Sequence, residues 1–469
     1  MPLRKVLTRS QAWQRRLTVP QFTVVTGLLV ILLGTLLLAT PLCSGAQVGL
    51  WEALFTATSA ITVTGLSIID VGTDLTGFGQ GVLAVMILAG GLGLMAITTF
   101  LQGFVVKGTG LRRRLDRGKA LDEFGVGGVG RTFRGIALTA AVLILIGATL
   151  LYGFGFSDIP DRGERLWAAL FHSISAYNNA GFGLWSDSLE RYRSNGLVNL
   201  VIMLLIVMGG LGWRVTSDMA GQLLSRRRRR LSLHTRLVLR TSILLVLIGA
   251  IGLMLTEWLN SGQNFLTLPW SERWLAALFQ SVTARTAGFN TVPISVETIT
   301  ESGTLLVMTL MFIGASPGGT GGGIKTTVVA ALMAATRSTL RGRDAVVIRN
   351  REISEKVVLR AVGITVSSLL FVLVMTLLVS FASNFNGRDD FTFLAMLFTC
   401  ISAFATVGLD MGVTSELSHF GQGVLLVGMF VGRLGIWLLL SAVWDAMSQE
   451  QNHLHRQNRI GYPHEDLYV

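Results

Sequence analysis

Leu54-Phe55-Thr56-Ala57-Thr58-Ser59-Ala60-Ile61-Thr62-Val63-Thr64-Gly65-Leu66 begins as apolar helix text, turns into an extended stretch and stops at a glycine. The same text returns three times, at intervals of roughly 115 residues: LFHSISAYNNAGF from Leu170 to Phe182, LFQSVTARTAGF from Leu278 to Phe289, and LFTCISAFATVGL from Leu397 to Leu409. Each copy is followed, after a polar interval, by another long apolar run. Internal repetition of this kind outranks local signals in deciding a fold. It predicts an all-α polytopic membrane protein of four helix–pore loop–helix repeats around a central pseudo-fourfold pore. The expected divisions are 1–104 for repeat 1, 105–221 for a cytoplasmic loop and repeat 2, 222–335 for a basic loop and repeat 3, and 336–469 for a loop, repeat 4 and the C-terminal tail.

Composition agrees with a bilayer environment. Of the 469 residues, 51% are hydrophobic and only 14% charged; the mean hydropathy of +0.59 is too high for a water-facing surface. Apolar spans of the length needed to cross the hydrocarbon layer fall near 22–42, 80–103, 135–156, 197–221, 237–257, 303–335, 357–382 and 420–446. Within each pair lies a shorter apolar segment (51–61, 166–177, 272–284 and 392–404) that suits a half-helix entering and returning on one side.

The net charge of +12 raises the question of nucleic acid, and its distribution answers it. Residues 1–20, 104–134, 222–240 and 336–360 carry 27 of the 39 Lys and Arg, whereas the stretches 43–79, 157–196, 258–302 and 383–419 carry 7. This is the positive-inside pattern, and it places both termini and three connecting loops in the cytoplasm. Arg226–Arg230 then reads as a topology anchor at anionic headgroups. The basic, then apolar N-terminus ends in Ser44-Gly45-Ala46, but its apolar run is nearer 20 residues than a secretory core and serves as the first span. Cys43 and Cys400 provide neither a disulfide framework nor a metal cluster and are expected to pack.

The loops carry the chemistry. A chain that must aim successive carbonyls at one axis needs a residue tolerant of unusual backbone angles, and Gly65, Gly181, Gly288 and Gly408 stand in register for that purpose. Rings of carbonyls replace an alkali cation's hydration shell, helped by the negative ends of half-helices aimed at the same point. No Asp or Glu lies in Thr62–Leu66, Asn178–Phe182, Thr286–Phe289 or Ala405–Leu409, so a carboxylate ring for divalent ions is absent and a monovalent cation is indicated. The third copy is one residue shorter between Phe279 and Gly288, so the four walls cannot be identical.

TSAITVTGL, SAYNNAGFGL, ARTAGFN, GGTGGGIKTT and SAFATVGL together resemble the Trk/Ktr/HKT superfamily of potassium transporters, from about Val19 to Tyr462-Pro463. The likeness is greatest to the Ktr membrane subunit, since one span precedes the first pore loop. The resemblance implies potassium uptake across the cell membrane by a multi-pass homodimer with one pore per protomer. It also implies a cytosolic, Rossmann-type nucleotide-binding ring as regulatory partner. On it, the selectivity filter comprises Thr62, Val63, Thr64 and Gly65, then Asn178, Asn179, Ala180 and Gly181, then Thr286, Ala287 and Gly288, and finally Thr406, Val407 and Gly408. Potassium is the transported ion, sodium coupling is left open, and no organic cofactor is implied. A serine in place of the first filter glycine goes with sodium preference in plant relatives, so Gly65 favours potassium. The competing reading is a sodium-selective or non-selective transporter of the same fold.

The sixth span breaks at Gly314-Ala315-Ser316-Pro317-Gly318-Gly319-Thr320-Gly321-Gly322-Gly323-Ile324-Lys325, which no regular helix can hold. Unwound backbone at membrane depth must be buried in protein or line a water-filled cavity. By the resemblance, Ser316, Pro317, Gly318, Gly319, Thr320, Gly321, Gly322, Gly323 and Lys325 form an intramembrane gate below the filter, with Arg433 facing the pore nearby. Arg433 in GRLG aligns with Gly91 and Gly210 in two GGLG texts and with Gly319 in GGTG. Arg285 is expected to brace the third loop from behind, and His172 to be packed and neutral.

Two nucleotide-loop texts fail on context. Ile324 separates Gly323 from Lys325, which breaks the phosphate-loop pattern, and Gly125–Gly130 fits the dinucleotide fingerprint but has no leading strand. Any nucleotide sensing belongs to a partner. An intramembrane enzyme would need a metal cluster, a nucleophile–base pair or facing carboxylates, and the spans contain none. The chain reads as a transporter and not as an enzyme.

Overall fold

All four predicted half-helices form, and protein buries the C-terminal part of each. They are α2 (Leu50–Thr62), α5 (Arg162–Asn178), α9 (Trp270–Thr283) and α13 (Phe393–Ala405). Their repeated phenylalanines Phe55, Phe171, Phe279 and Phe398 are buried to 1% exposure or less, which fixes the depth and rotation of each helix. The computed structural model describes residues 19–45, 48–106, 126–224, 231–259, 268–295, 297–343, 345–348, 351–385 and 391–436. Outside these lie the basic N-terminus, most of the 104–134 loop, Arg226–Arg230, Ala46, the end of the eighth span and the tail with Tyr462-Pro463.

Around the half-helices run α1 (Val19–Leu38), α3 (Gly77–Val106), α4 (Val126–Leu150), α6 (Gly196–Leu211), α7 (Trp213–Leu224), α8 (Leu233–Leu259), α10 (Glu301–Phe312), α11 (Thr326–Thr339), α12 (Glu355–Phe385) and α15 (His419–Leu434). A four-residue helix, α14 (Val413–Glu416), precedes the last of these. Side-chain oxygens of Asp161, Asn195, Thr300, Thr392 and Ser418 accept from the first free N–H groups of α5, α6, α10, α13 and α15 and so fix where each begins. Among the described residues three helical stretches, Phe133–Gly155, Leu233–Leu259 and Glu355–Ala382, are individually long and apolar enough to cross a bilayer. Leu29, Leu33 and Leu36 on α1 and Ile243, Leu247 and Ile251 on α8 face outward, an arrangement that hydrocarbon accepts and water does not.

Three details depart from the sequence reading. The span expected at 197–221 is two helices, α6 and α7, bent by 105° at Gly212. Gly212 has φ +84, a side chain there would sit 2.8 Å from the carbonyl carbon of Gly318, and Trp213 N–H donates to Gly318 O at 3.3 Å. The Gly-rich segment of repeat 3 thus occupies the notch that the bend opens. The span at 135–156 closes in a π-turn at Leu151–Gly155. An antiparallel hairpin, β1 (Val346–Ile348) paired with β2 (Arg351–Ile353), stands in the basic loop before α12. Val126–Gly130 belongs to α4, so the fingerprint text is helix and not a phosphate-binding turn.

Within a bilayer, helices gain little from burying apolar surface against one another, and small residues that admit close backbone approach take over. Gly90 of α3 packs on the carbonyl of Ile61, Gly209 of α6 on that of Tyr177, and Gly432 of α15 on that of Phe404. Each of those carbonyls lies four residues before a loop glycine (Gly65, Gly181 and Gly408), so three repeats use one contact. Repeat 3 departs from it: Gly318, the counterpart of Gly90, Gly209 and Gly432, lies outside any helix with φ +79, and its neighbour Gly319 approaches the carbonyl of Gly210. Gly209→Ala is expected to cost about 1–3 kcal/mol of stability through overpacking, read as a lower thermal unfolding midpoint in detergent. Gly221→Ala, where nothing lies within 4 Å, is the control; equal midpoints for the two variants would refute this packing account.

Candidate functional site

The four loops share one backbone course. Val63, Asn179, Thr286 and Thr406 have φ of 55, 59, 75 and 52°, and two residues later Gly65, Gly181, Gly288 and Gly408 have φ of 95, 70, 82 and 93°. The residue between them, Thr64, Ala180, Ala287 or Val407, keeps a negative φ. Alternating handedness allows successive peptide groups to turn the same way, where a strand would alternate them. Three of the left-handed residues are β-branched, and such conformations cost of order 1–3 kcal/mol each, a strain that persists only where the surroundings impose it.

The loops close into a ring. A Cβ on Gly65 would meet the carbonyl of Ala180, one on Gly181 that of Ala287, one on Gly288 that of Val407, and one on Gly408 that of Thr64. Each glycine therefore faces the carbonyl preceding the glycine of the next repeat, in the order 1, 2, 3, 4 and back to 1. α2, α5, α9 and α13 all end at this ring, so the negative ends of four helix dipoles converge there.

The third wall differs as its shorter text requires. α2, α5 and α13 are capped by the left-handed residues Val63, Asn179 and Thr406, whereas α9 is capped at Ala284 in right-handed conformation. Thr283 Oγ1 then donates to Phe289 O at 2.9 Å. Two residues outside the sequence-derived set hold the ring: Ser59 Oγ accepts from Gly65 N–H at 3.0 Å and Ser402 Oγ from Gly408 N–H at 3.1 Å. The signal was present, since Ser59, Ser175 and Ser402 all stand six residues before a loop glycine while Val282 stands there in repeat 3.

Not every residue assigned to the loops presents its side chain there. Thr62 Oγ1 donates back to Thr58 O at 2.7 Å, and Asn178 Nδ2 to Ile174 O at 2.8 Å. Asn178 also abuts Gly91 of α3 and so joins repeats 1 and 2. Asn179 reaches across instead: Thr320 Oγ1 donates to Asn179 Oδ1 at 3.0 Å.

The Gly-rich segment lies against the left-handed residues. Ser316 N–H donates to Gly210 O and Thr320 N–H to Gly209 O, both at 3.1 Å, and Gly319 N–H closes a turn on Ser316 O around Pro317 and Gly318. Gly321 abuts Thr286, and Gly322 abuts Thr406, whose hydroxyl has no partner. Gly323 has φ +66 where the chain turns back to Ile324, whose N–H donates to Phe312 O. Lys325 Nζ donates to Gly321 O at 2.7 Å and to Gly322 O at 3.3 Å. Arg433 Nη1 donates to Thr320 O and Nη2 to Gly90 O, the latter at 2.9 Å. One guanidinium of repeat 4 thus ties the Gly-rich segment of repeat 3 to α3 of repeat 1.

Arg285 Nη2 donates to Gly314 O at 3.3 Å and Nη1 to Ser242 O at 3.4 Å, behind the third loop as expected. His172 is buried, stacked on Trp185 at 4.3 Å between ring centres, with Nδ1 at 2.8 Å from Ala168 O. Cys43 and Cys400 are free and buried.

The family model for TrkH, described as cation transport protein, matches residues 5–454. The chain belongs to the TrkH family. TrkH-family relatives cover nearly its whole length. Ktr system potassium uptake protein B of Bacillus subtilis (strain 168) is 36% identical over 456 residues, which is 97% of each chain. Potassium/sodium uptake protein NtpJ of Enterococcus hirae is 32% identical over 452 residues, covering 95% of this chain and 98% of that one. The crystal structure of the potassium transporter TrkH from Vibrio parahaemolyticus matches the fold with a TM-score of 0.69 at 19% identity, covering 89% of this chain and 83% of that one. The TrkH fold is a helical membrane transporter, and this chain is a transport protein and not an enzyme.

Proposed function

We propose that the chain takes up potassium across the cell membrane through the ring formed at Gly65, Gly181, Gly288 and Gly408. The observation carrying this reading is the ring's closure, with each glycine against the carbonyl of the next repeat. Carbonyl dipoles and four helix C-termini favour a cation, and the absence of Asp and Glu from the loops favours a monovalent one. Thr62 to Gly65, Asn178 to Gly181, Thr286 to Gly288 and Thr406 to Gly408 serve as filter. Ser316 to Gly323, with Lys325 and Arg433, serve as the gate. In support of the gate, the segment lies against Asn179, Thr286 and Thr406 and is held by side-chain bonds from Thr320, Lys325 and Arg433.

The relatives named as Ktr system proteins support a membrane subunit that works with a regulatory subunit. We assign that partner as a cytosolic nucleotide-binding ring, the membrane subunit as a homodimer, and both termini to the cytoplasm on the Lys and Arg distribution. Sodium coupling, or sodium as an alternative substrate, is the second reading, and the relative named as a potassium/sodium uptake protein favours it.

The test is growth at low potassium of a cell that lacks its own uptake systems, with and without sodium and the cytosolic partner. Rescue by this chain is expected. Failure of rescue under every combination, with the protein inserted in the membrane, would overturn the assignment.

A further inference from the structure

Among the described residues no anion stands beside Arg285, which carries its charge deep in the membrane. The re-entrant helix α9 starts at the exposed Trp270 and Trp274, which suit the outer interface, and its 14 residues advance about 21 Å into a core of about 30 Å. The ion pairs Arg191–Asp187 and Arg193–Glu272 lie elsewhere. The guanidinium has two long bonds to carbonyls, and its Nε has no partner. A charge at this depth ordinarily pairs or faces a cavity, because leaving it unpaired costs several kcal/mol.

Arg285 does line a cavity. It has a volume of about 220 Å³ and lies between α6 and α8, with Ile206, Val207, Val246 and other apolar side chains as walls. Ile243 and Leu247, 59% and 50% exposed on the lipid-facing side of α8, line it as well, so it opens towards acyl chains and not water. A dry apolar cavity of roughly 150 Å³ holds a benzene ring, so this one has room for a length of hydrocarbon chain. A comparable cleft lies half-way round the ring beside Arg433, whose Nε also has no partner, but at about 130 Å³ it is smaller, and Arg433 Nη2 is held by a bond of 2.9 Å.

We propose that the cleft at Arg285 binds a long-chain fatty acid anion drawn laterally from the bilayer, with its carboxylate on the guanidinium and its chain along α8. Largely apolar walls, with Asn179 and Ser242 beside a guanidinium that has no anion, complement that class of amphiphile: the charge-assisted bond supplies the missing anion, and the tail replaces loosely packed lipid. A phospholipid fits less well, because its glycerophosphate headgroup and second chain are bulkier than a cleft of about 220 Å³ admits. The bound carboxylate also competes with Gly314 O for the guanidinium, at the start of the Gly-rich segment. Binding does not depend on the potassium-uptake reading; only its consequence for flux does.

The experiment uses the full-length protein in liposomes with a photoreactive, diazirine-bearing palmitic acid, and labelled residues are mapped by mass spectrometry. Label is expected to concentrate on residues 206–211 and 239–247. It should fall about tenfold in Leu247→Trp, which plugs the mouth and leaves Arg285 in place, and about tenfold when the probe is the corresponding alcohol. Arg285→Gln should reduce acid labelling to the level of the alcohol. Undiminished labelling of Leu247→Trp, equal labelling by acid and alcohol, or label spread evenly over the lipid-facing sides of α1 and α12 would each overturn the proposal. Failure of potassium rescue would leave this outcome unchanged.

Discussion

Gly65→Ser is expected to lower apparent potassium affinity on the order of tenfold to a hundredfold and to let sodium compete. An L-residue held at φ +95 costs about 1–3 kcal/mol, and each 1.4 kcal/mol is a factor of about ten in affinity. The added Cβ would also lie 3.0 Å from the Cα of Gly181 and against the carbonyl of Ala180, so the neighbouring wall must shift as well. On the proposed filter reading, the disturbance falls on carbonyls whose spacing separates a larger from a smaller cation. Gly288→Ser should behave alike, because its Cβ would meet Val407 O and the Cα atoms of Gly181 and Gly408. Gly77→Ser, with open space around it, is the control. The measurement is potassium uptake against potassium concentration at several sodium concentrations. If both ring variants discriminate as the parent does, the ring is not the filter.

What the sequence disclosed was whatever recurs in it. The aromatic-to-glycine text marks α2, α5, α9 and α13, and the missing residue before Gly288 marks the one wall with a different helix end. Gly-Gly-Thr-Gly-Gly-Gly could only be unwound backbone. Features that depend on a distant partner were hidden. Gly209-Gly210-Leu211-Gly212 reads as tolerated glycine in an apolar helix, and only the arrival of Gly318 from another repeat turns Gly212 into a 105° corner. By text Gly318 matches Gly90, Gly209 and Gly432, but repeat 3 replaces that helix contact with a loop in which Gly318 O accepts from Trp213 N–H. Asn179 counted as a ring residue from its position; its bond from Thr320 hangs on a chain segment 141 residues away.

Arg433→Ala is expected to change two quantities that Arg433→Lys separates. One account is charge: a unit charge about 8 Å from a cation, at an effective dielectric near 20, repels it by roughly 2 kcal/mol. On that account Ala lets cations dwell below the ring and shifts the potassium dependence of flux on the order of tenfold or more, while Lys keeps the parent's value. The structure adds a clamp, since Nη1 and Nη2 hold Thr320 O and Gly90 O, and Arg433 is only 8% exposed. Leaving those buried carbonyls without donors costs about 1–3 kcal/mol each. A lysine ammonium keeps the charge but lacks the planar fork that spans two acceptors. Arg433→Lys should therefore retain the flux dependence and lose thermal stability, whereas Arg433→Ala loses both. Flux against potassium concentration in liposomes, paired with unfolding midpoints in detergent, reads the two effects apart. Equal shifts in flux dependence for Lys and Ala would remove charge from the account and leave the clamp alone.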